Sequence, residues 1–267
     1  MSWLRGIGAF IVRDALEDLS YRTAFLMNTV GILLFLAVWY FVPKFLLAQG
    51  AEVEGLPPFS WFLGGIALWQ FLNVALSGFA RRIRKEQLSG TLEAMMATPA
   101  RTSLVLFGST AWDFLFSALS LALYVLFGVW IFGAQIAVAS IPAAIVVLVL
   151  TSLCFSGIGI LAASAILYFK RGDPITFLVS GVMQLFGGVY FPASALGPRL
   201  QAVAEWIPLT HATRAFRATL LGGASLGSQV GDLAALAGFS LLVIPLGLAM
   251  ARVAIGRARR DGTLAHY

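Results

Sequence analysis

Six apolar runs, each long enough to cross a bilayer, follow one another along this chain with little between them. They extend from about Ala24 to Val42, Phe59 to Ala80, Thr102 to Phe132, Ile141 to Phe169, Pro174 to Phe191 and Leu233 to Val253. A helix needs ~20 apolar residues to span the hydrocarbon core. The third and fourth runs exceed that length and should tilt or project. The pattern predicts an all-α integral membrane protein, a single transmembrane domain over 1–267. Composition agrees, because charged residues make up only 11 %. A soluble domain carries roughly 25 %.

The net charge of +6 follows from topology rather than from a nucleic-acid partner. Segments 1–23, 81–101, 170–173 and 252–267 hold 14 of the 18 Lys and Arg residues. Lys44, Arg199, Arg214 and Arg217 fall on the other side. Basic residues stay in the cytoplasm during insertion, so both termini are expected there. Cys154 stands alone, which excludes a cysteine metal cluster and an intrachain disulfide.

Four features carry functional information. The first is residues 3–19, where Leu4, Ile7, Ile11, Ala15 and Leu19 recur at helical steps, with Arg13, Asp14, Glu17 and Asp18 mostly elsewhere. This predicts a helix lying in the membrane interface; a helix packed on the protein itself is the alternative. Next comes the basic loop 81–101, in which Glu86-Gln87-Leu88-Ser89-Gly90-Thr91-Leu92-Glu93 leads to Thr98-Pro99. Gly90 with Glu93 forms a weak capping box. Leu92, Met95 and Met96 then share one face, which suits either a repacking partner surface or the chain's own helices. A further feature is the Pro- and Gly-broken stretch 192–231, introduced by Gly187-Gly188-Val189-Tyr190-Phe191-Pro192 and containing Trp206-Ile207-Pro208-Leu209-Thr210-His211. It predicts short re-entrant helices on the outer side, buried in protein or lining a wet cavity.

The fourth feature is polar residues within spans. Gln70, Asn73 and Ser77 share a face of the second span, and Thr176, Ser180 and Gln184 share one of the fifth. Such stripes either face a cavity or join helices by hydrogen bonds. Asp113 is the acid deepest in any span, open to a transport role, a structural pairing or a neutral state. No nucleotide-binding loop, zinc-protease motif or nucleophile elbow occurs.

The order of these segments resembles the ABC-2 type permease family of ABC exporters. The interfacial helix with six spans, the Glu86–Glu93 motif through Thr98-Pro99, and the Gly187–Pro192 and Trp206–His211 motifs carry the likeness. The resemblance implies a pore of two permease chains, expected as a homodimer in the bacterial inner membrane. Two separate cytoplasmic ATPase subunits would bind ATP and magnesium, leaving this chain without cofactor or catalytic residue. Segment 86–99 would act as the coupling helix, with Glu86, Gln87, Gly90, Thr91, Leu92, Glu93, Met95, Met96, Thr98 and Pro99 toward the ATPase. Tyr190, Phe191, Pro192, Trp206, Pro208 and His211 would form the outer gate. Gln70, Asn73, Ser77, Thr176, Ser180 and Gln184 would line the path. The Gly90-Thr91-Leu92-Glu93 and Thr98-Pro99 pattern looks more like the drug, lipid and Nod-factor branch than the polysaccharide branch. Two rivals remain: an ion-coupled secondary transporter using Asp113, and a membrane-embedded lipid-modifying enzyme.

Overall fold

The computed structural model describes residues 3–20, 22–46, 52–88, 102–169 and 174–260. Among these, the long elements are α1 (Trp3–Leu19), α2 (Arg22–Leu46), α3 (Pro58–Leu88), α4 (Thr102–Trp130), α5 (Ile141–Phe169) and α9 (Val230–Arg260). Three shorter helices lie between α5 and α9: α6 (Pro174–Phe186), α7 (Pro198–Ala204) and α8 (Pro208–Leu220). Five helices, α2 to α5 and α9, are long and apolar enough to cross a membrane.

The expected fifth span over 174–191 is shorter than read. Its helix ends at Phe186, and 13 residues rise about 20 Å against a ~30 Å hydrocarbon core. Gly188 explains the stop, because its φ of +69° leaves the helical region at a residue without a Cβ. The backbone amide of Gly187 closes the last turn on the Met183 carbonyl at 2.7 Å. The apolar run therefore contains a helix of about two thirds the needed length and its turn. Three other helices extend beyond the expected spans. Helix α2 continues past Pro43 to Leu46, α3 runs through the start of the expected loop to Leu88, and α9 runs beyond 233–253 at both ends.

The core is a sandwich of α3, α5 and α9. Helix α5 carries Gly157 and Gly159, two residues apart and so on nearly opposite faces. A Cβ at Gly159 would lie 2.2 Å from the Ala75 carbonyl of α3, and one at Gly157 would lie 2.7 Å from Val243 of α9. Only glycine lets both neighbours approach this closely, and lipid-embedded helices pack best through such small residues. Trp61, Leu68, Leu72 and Leu76 of α3 and Phe155 of α5 are fully buried there. Helix α2 is peripheral: Ile32 and Leu36 face inward while Leu26, Leu34 and Phe45 are exposed, as suits a lipid-facing helix.

Helix α1 docks on α4 and on the last turns of α3. Phe10 occupies the space a Cβ at Gly108 would fill. Its charged residues make much of the contact, as in the alternative of a helix packed on the protein, and Asp14 is only 1 % exposed. Val12 and Leu16 remain exposed, leaving α1 an outward apolar face.

Candidate functional site

The structure builds a dense polar site where the short α6 stops. A helix end leaves carbonyls without intrahelical partners, and such groups are costly to bury unpaired. Helix α8 supplies the donors. Thr210, Thr213 and Arg217 recur at steps of three and four, so they share one face. Thr210 donates to the Phe186 carbonyl at 3.2 Å and Thr213 to the Gly187 carbonyl at 2.7 Å. Arg217 donates from Nη1 to the Gly188 carbonyl at 2.7 Å and from Nη2 to the Val189 carbonyl at 3.2 Å. Four consecutive carbonyls are thereby satisfied by one helix face.

The same guanidinium fastens this hairpin to α3. Arg217 Nε donates to the Trp61 carbonyl at 3.0 Å, and its carbon lies 3.5 Å from the centre of the Trp61 ring. Gly64 and Gly65 make room for it, since a Cβ at Gly65 would lie 2.2 Å from Nη2. The Trp61 indole in turn donates to Glu54 at 2.8 Å.

The other edge of α8 forms a charged latch to α9. Arg214 grips Glu205 with two hydrogen bonds of 2.9 and 2.8 Å and reaches Asp232 at 3.0 Å. His211 places Nδ1 2.7 Å from Asp232 and Nε2 2.9 Å from the Glu205 carbonyl. Both ring nitrogens face acceptors, so the imidazolium satisfies both contacts. The hydrogen bond to Asp232 accordingly raises the His211 pKa. Arg214 lowers that of Glu205.

Among the expected gate residues, Pro208 begins α8, a position where its missing N–H costs nothing. His211 is buried in the latch, and Trp206 is 80 % exposed. Tyr190 stacks on Trp39 at 5.2 Å, and Trp39 stacks on Phe62 at 5.3 Å. Phe191 and Pro192 are half-buried beside this column.

The expected path residues fall into local contacts. Gln70 donates to the Tyr124 hydroxyl at 3.3 Å, joining α3 to α4. Ser77 donates to the Asn73 carbonyl at 2.7 Å. On α6, Thr176 is buried, Ser180 is half-buried, and Gln184 accepts from the Tyr190 hydroxyl at 3.1 Å.

At the basic end, Asp113 of α4 faces Arg82 of α3 at 4.0 Å. Arg82 also pairs with Asp14. Of the alternatives open for Asp113, this geometry supports structural pairing. Glu86 is buried and accepts from Arg13 at 3.1 Å, so its carboxylate faces α1. Asp18 accepts from the Trp112 indole at 2.6 Å. The remaining coupling candidates, Gly90, Thr91, Leu92, Glu93, Met95, Met96, Thr98 and Pro99, lie outside the described residues, as does the Gln87 side chain.

Sequence reasoning missed the clamp of Thr213 and Arg217 and the latch of Glu205, Arg214 and Asp232. The spacing of Thr210, Thr213 and Arg217 was a readable signal, as was an arginine in a stretch bound for the membrane.

Five described helices long and apolar enough to cross a membrane, with a clamped short helix before the last, fit a multi-pass membrane protein. Residues 12–221 match the ABC-2 type transporter family, and the chain belongs to that family. Its members are membrane components of transporters, not themselves enzymes, and generally work with ATP-binding subunits. No curated protein matches the chain.

Proposed function

We propose that the chain is the membrane subunit of an ATP-driven exporter, with a second copy completing the path and two soluble ATPases bound at the basic end. The family match over residues 12–221, which covers both the basic loop and the clamped hairpin, carries this reading. The excess of Lys and Arg at that end supports a cytoplasmic position for it and for both termini. No ATP-binding motif occurs in this chain, so nucleotide and magnesium belong to the partner. An amphipathic or lipid-like substrate suits a route between helices that are apolar on their outer faces.

Helix α3 provides the link from drive to gate. It runs unbroken from Trp61, which receives Arg217, to Glu86 beside the basic loop, about 37 Å at 1.5 Å per residue. A push on segment 90–99, the expected coupling segment, would move α3 and with it the hairpin that holds the end of α6. ATP favours one arrangement only through contacts it strengthens in that arrangement.

The test is co-purification from mild detergent followed by transport in vesicles. We expect a soluble nucleotide-binding subunit to be recovered, and to be lost in the Leu92→Asp, Met95→Asp double variant while the protein still inserts. Full transport by that variant would sink the coupling claim. Transport driven by an ion gradient without ATP, and abolished by Asp113→Asn, would replace the proposal with a secondary transporter.

A further inference from the structure

We propose that the cavity beside Arg217 binds the headgroup of a zwitterionic phospholipid, its phosphate toward Arg217 and its ammonium toward Glu54. The cavity holds about 340 Å³, and its walls include Glu54, Gly188, Gln201, Glu205, Thr213 and Arg217. It is a built space between α7, α8 and the turn before α3, and nothing in the proposed drive cycle requires it.

Charge accounting points to the ligand. A guanidinium carries five N–H donors. Arg217 uses three of them, all on neutral backbone carbonyls. Its side chain is 5 % exposed, and no carboxylate lies within 4.0 Å among the described residues. Glu205 and Asp232 are taken by Arg214. A desolvated cation with no carboxylate in direct contact is costly to hold, and an anionic ligand oxygen would offset that cost.

Glu54 decides between an anion and a zwitterion. The Trp61 ring carries Arg217 on its face and Glu54 at its indole N–H. The indole thus holds opposite charges apart on the wall of one cavity. A simple anion bound at Arg217 would meet the repulsion of the Glu54 carboxylate. A ligand with its own ammonium group satisfies both.

Helix α7 supplies the argument for lipid. Gln201 and Glu205 line the cavity, while their neighbours Leu200 and Val203 are each 47 % exposed and Trp206 is 80 % exposed. An exposed apolar ridge ending in tryptophan fits the membrane interface, where an acyl chain can lie along it. A headgroup in the cavity and a chain on the ridge would occupy adjacent surfaces.

The experiment needs no nucleotide, so its failure is separable from that of the exporter reading. The purified full chain in nonionic detergent is melted against dihexanoyl phosphatidylethanolamine, dihexanoyl phosphatidylglycerol and soluble phosphoethanolamine. We expect saturable stabilisation by the first, about tenfold weaker binding of the second, and the weakest binding of the third. Glu54→Gln should erase the preference for the ethanolamine lipid, because glutamine can still accept from Trp61 but carries no charge. Leu200→Ser with Trp206→Ser should weaken the lipids and leave phosphoethanolamine unchanged. Equal stabilisation by both lipids in the wild type and in Glu54→Gln, or none, would overturn the site. Phosphoethanolamine binding as tightly as the lipid would overturn the lipid assignment.

Discussion

Two buried arginines mark the opposite ends of α3: Arg82 belongs to it, and Arg217 of α8 docks on it. Arg82, 8 % exposed, is surrounded by carboxylates: it pairs with Asp14 and faces Asp113, while Arg13 and Glu86 pair beside it. Arg217, 5 % exposed, has carbonyl oxygens and an indole face. The charged partners of Arg82 are side chains, and a buried ion pair can often be replaced by apolar residues without loss. The acceptors of Arg217 are backbone, which no substitution removes. One end is held by an exchangeable network; the other depends on a particular side chain.

Replacing Arg217 should therefore have the largest effect. Arg217→Met leaves the Gly188 and Val189 carbonyls without this donor, at about 1–3 kcal/mol each, and takes a second donor from the Trp61 carbonyl. The sum is a large part of the stability of a typical domain. We expect loss of monodisperse protein on size exclusion in detergent. Arg217→Lys should rescue only partly, since an ammonium cannot reproduce the planar fork. A well-folded Arg217→Met protein would break the distinction between the two ends.

Asp14→Leu should come next, at up to roughly 3–5 kcal/mol, because it removes the nearest described carboxylate from a buried Arg82. The double variant Asp14→Leu, Arg82→Met should recover most of that loss in a thermal melt. Asp113 is then left without Arg82, but its side chain is 33 % exposed and can be solvated. No recovery in the double variant would show that this end, too, needs its arginine.

Most of the helical layout was legible because apolar runs report lipid exposure directly. What escaped shows where that signal ends. The run over 174–191 hid the stop at Gly188, since the residues after the turn are as apolar as those before it. Pro43 looked like a helix end, yet the helix continues through it. The face of Thr210, Thr213 and Arg217 was visible as spacing, but its acceptors are backbone carbonyls, which leave no mark in a sequence. Glu86 belongs to a motif that suggested an ATPase contact, whereas its described hydrogen bond goes to Arg13, 73 positions away. Pairing across such a distance is a property of packing, not of local pattern.

The pH dependence of stability should separate the ends more gently. His211 has its pKa raised above the ordinary 6.5 by Asp232. Its contribution is complete below 6.5 and is lost as pH rises through the raised value. Glu205, with its pKa lowered by Arg214, contributes fully above 4.5 and loses that only as pH falls through the lowered value. The hairpin latch is thus complete between 4.5 and 6.5 and weakens on both sides. At the basic end, Glu17 has its pKa lowered by Lys85, so that pair weakens as pH falls through the lowered value. In melts at graded pH, His211→Gln should remove the decline on the alkaline side and leave the acid side intact. An unchanged alkaline decline in His211→Gln would mean that another group titrates there, and that the latch does not sense pH.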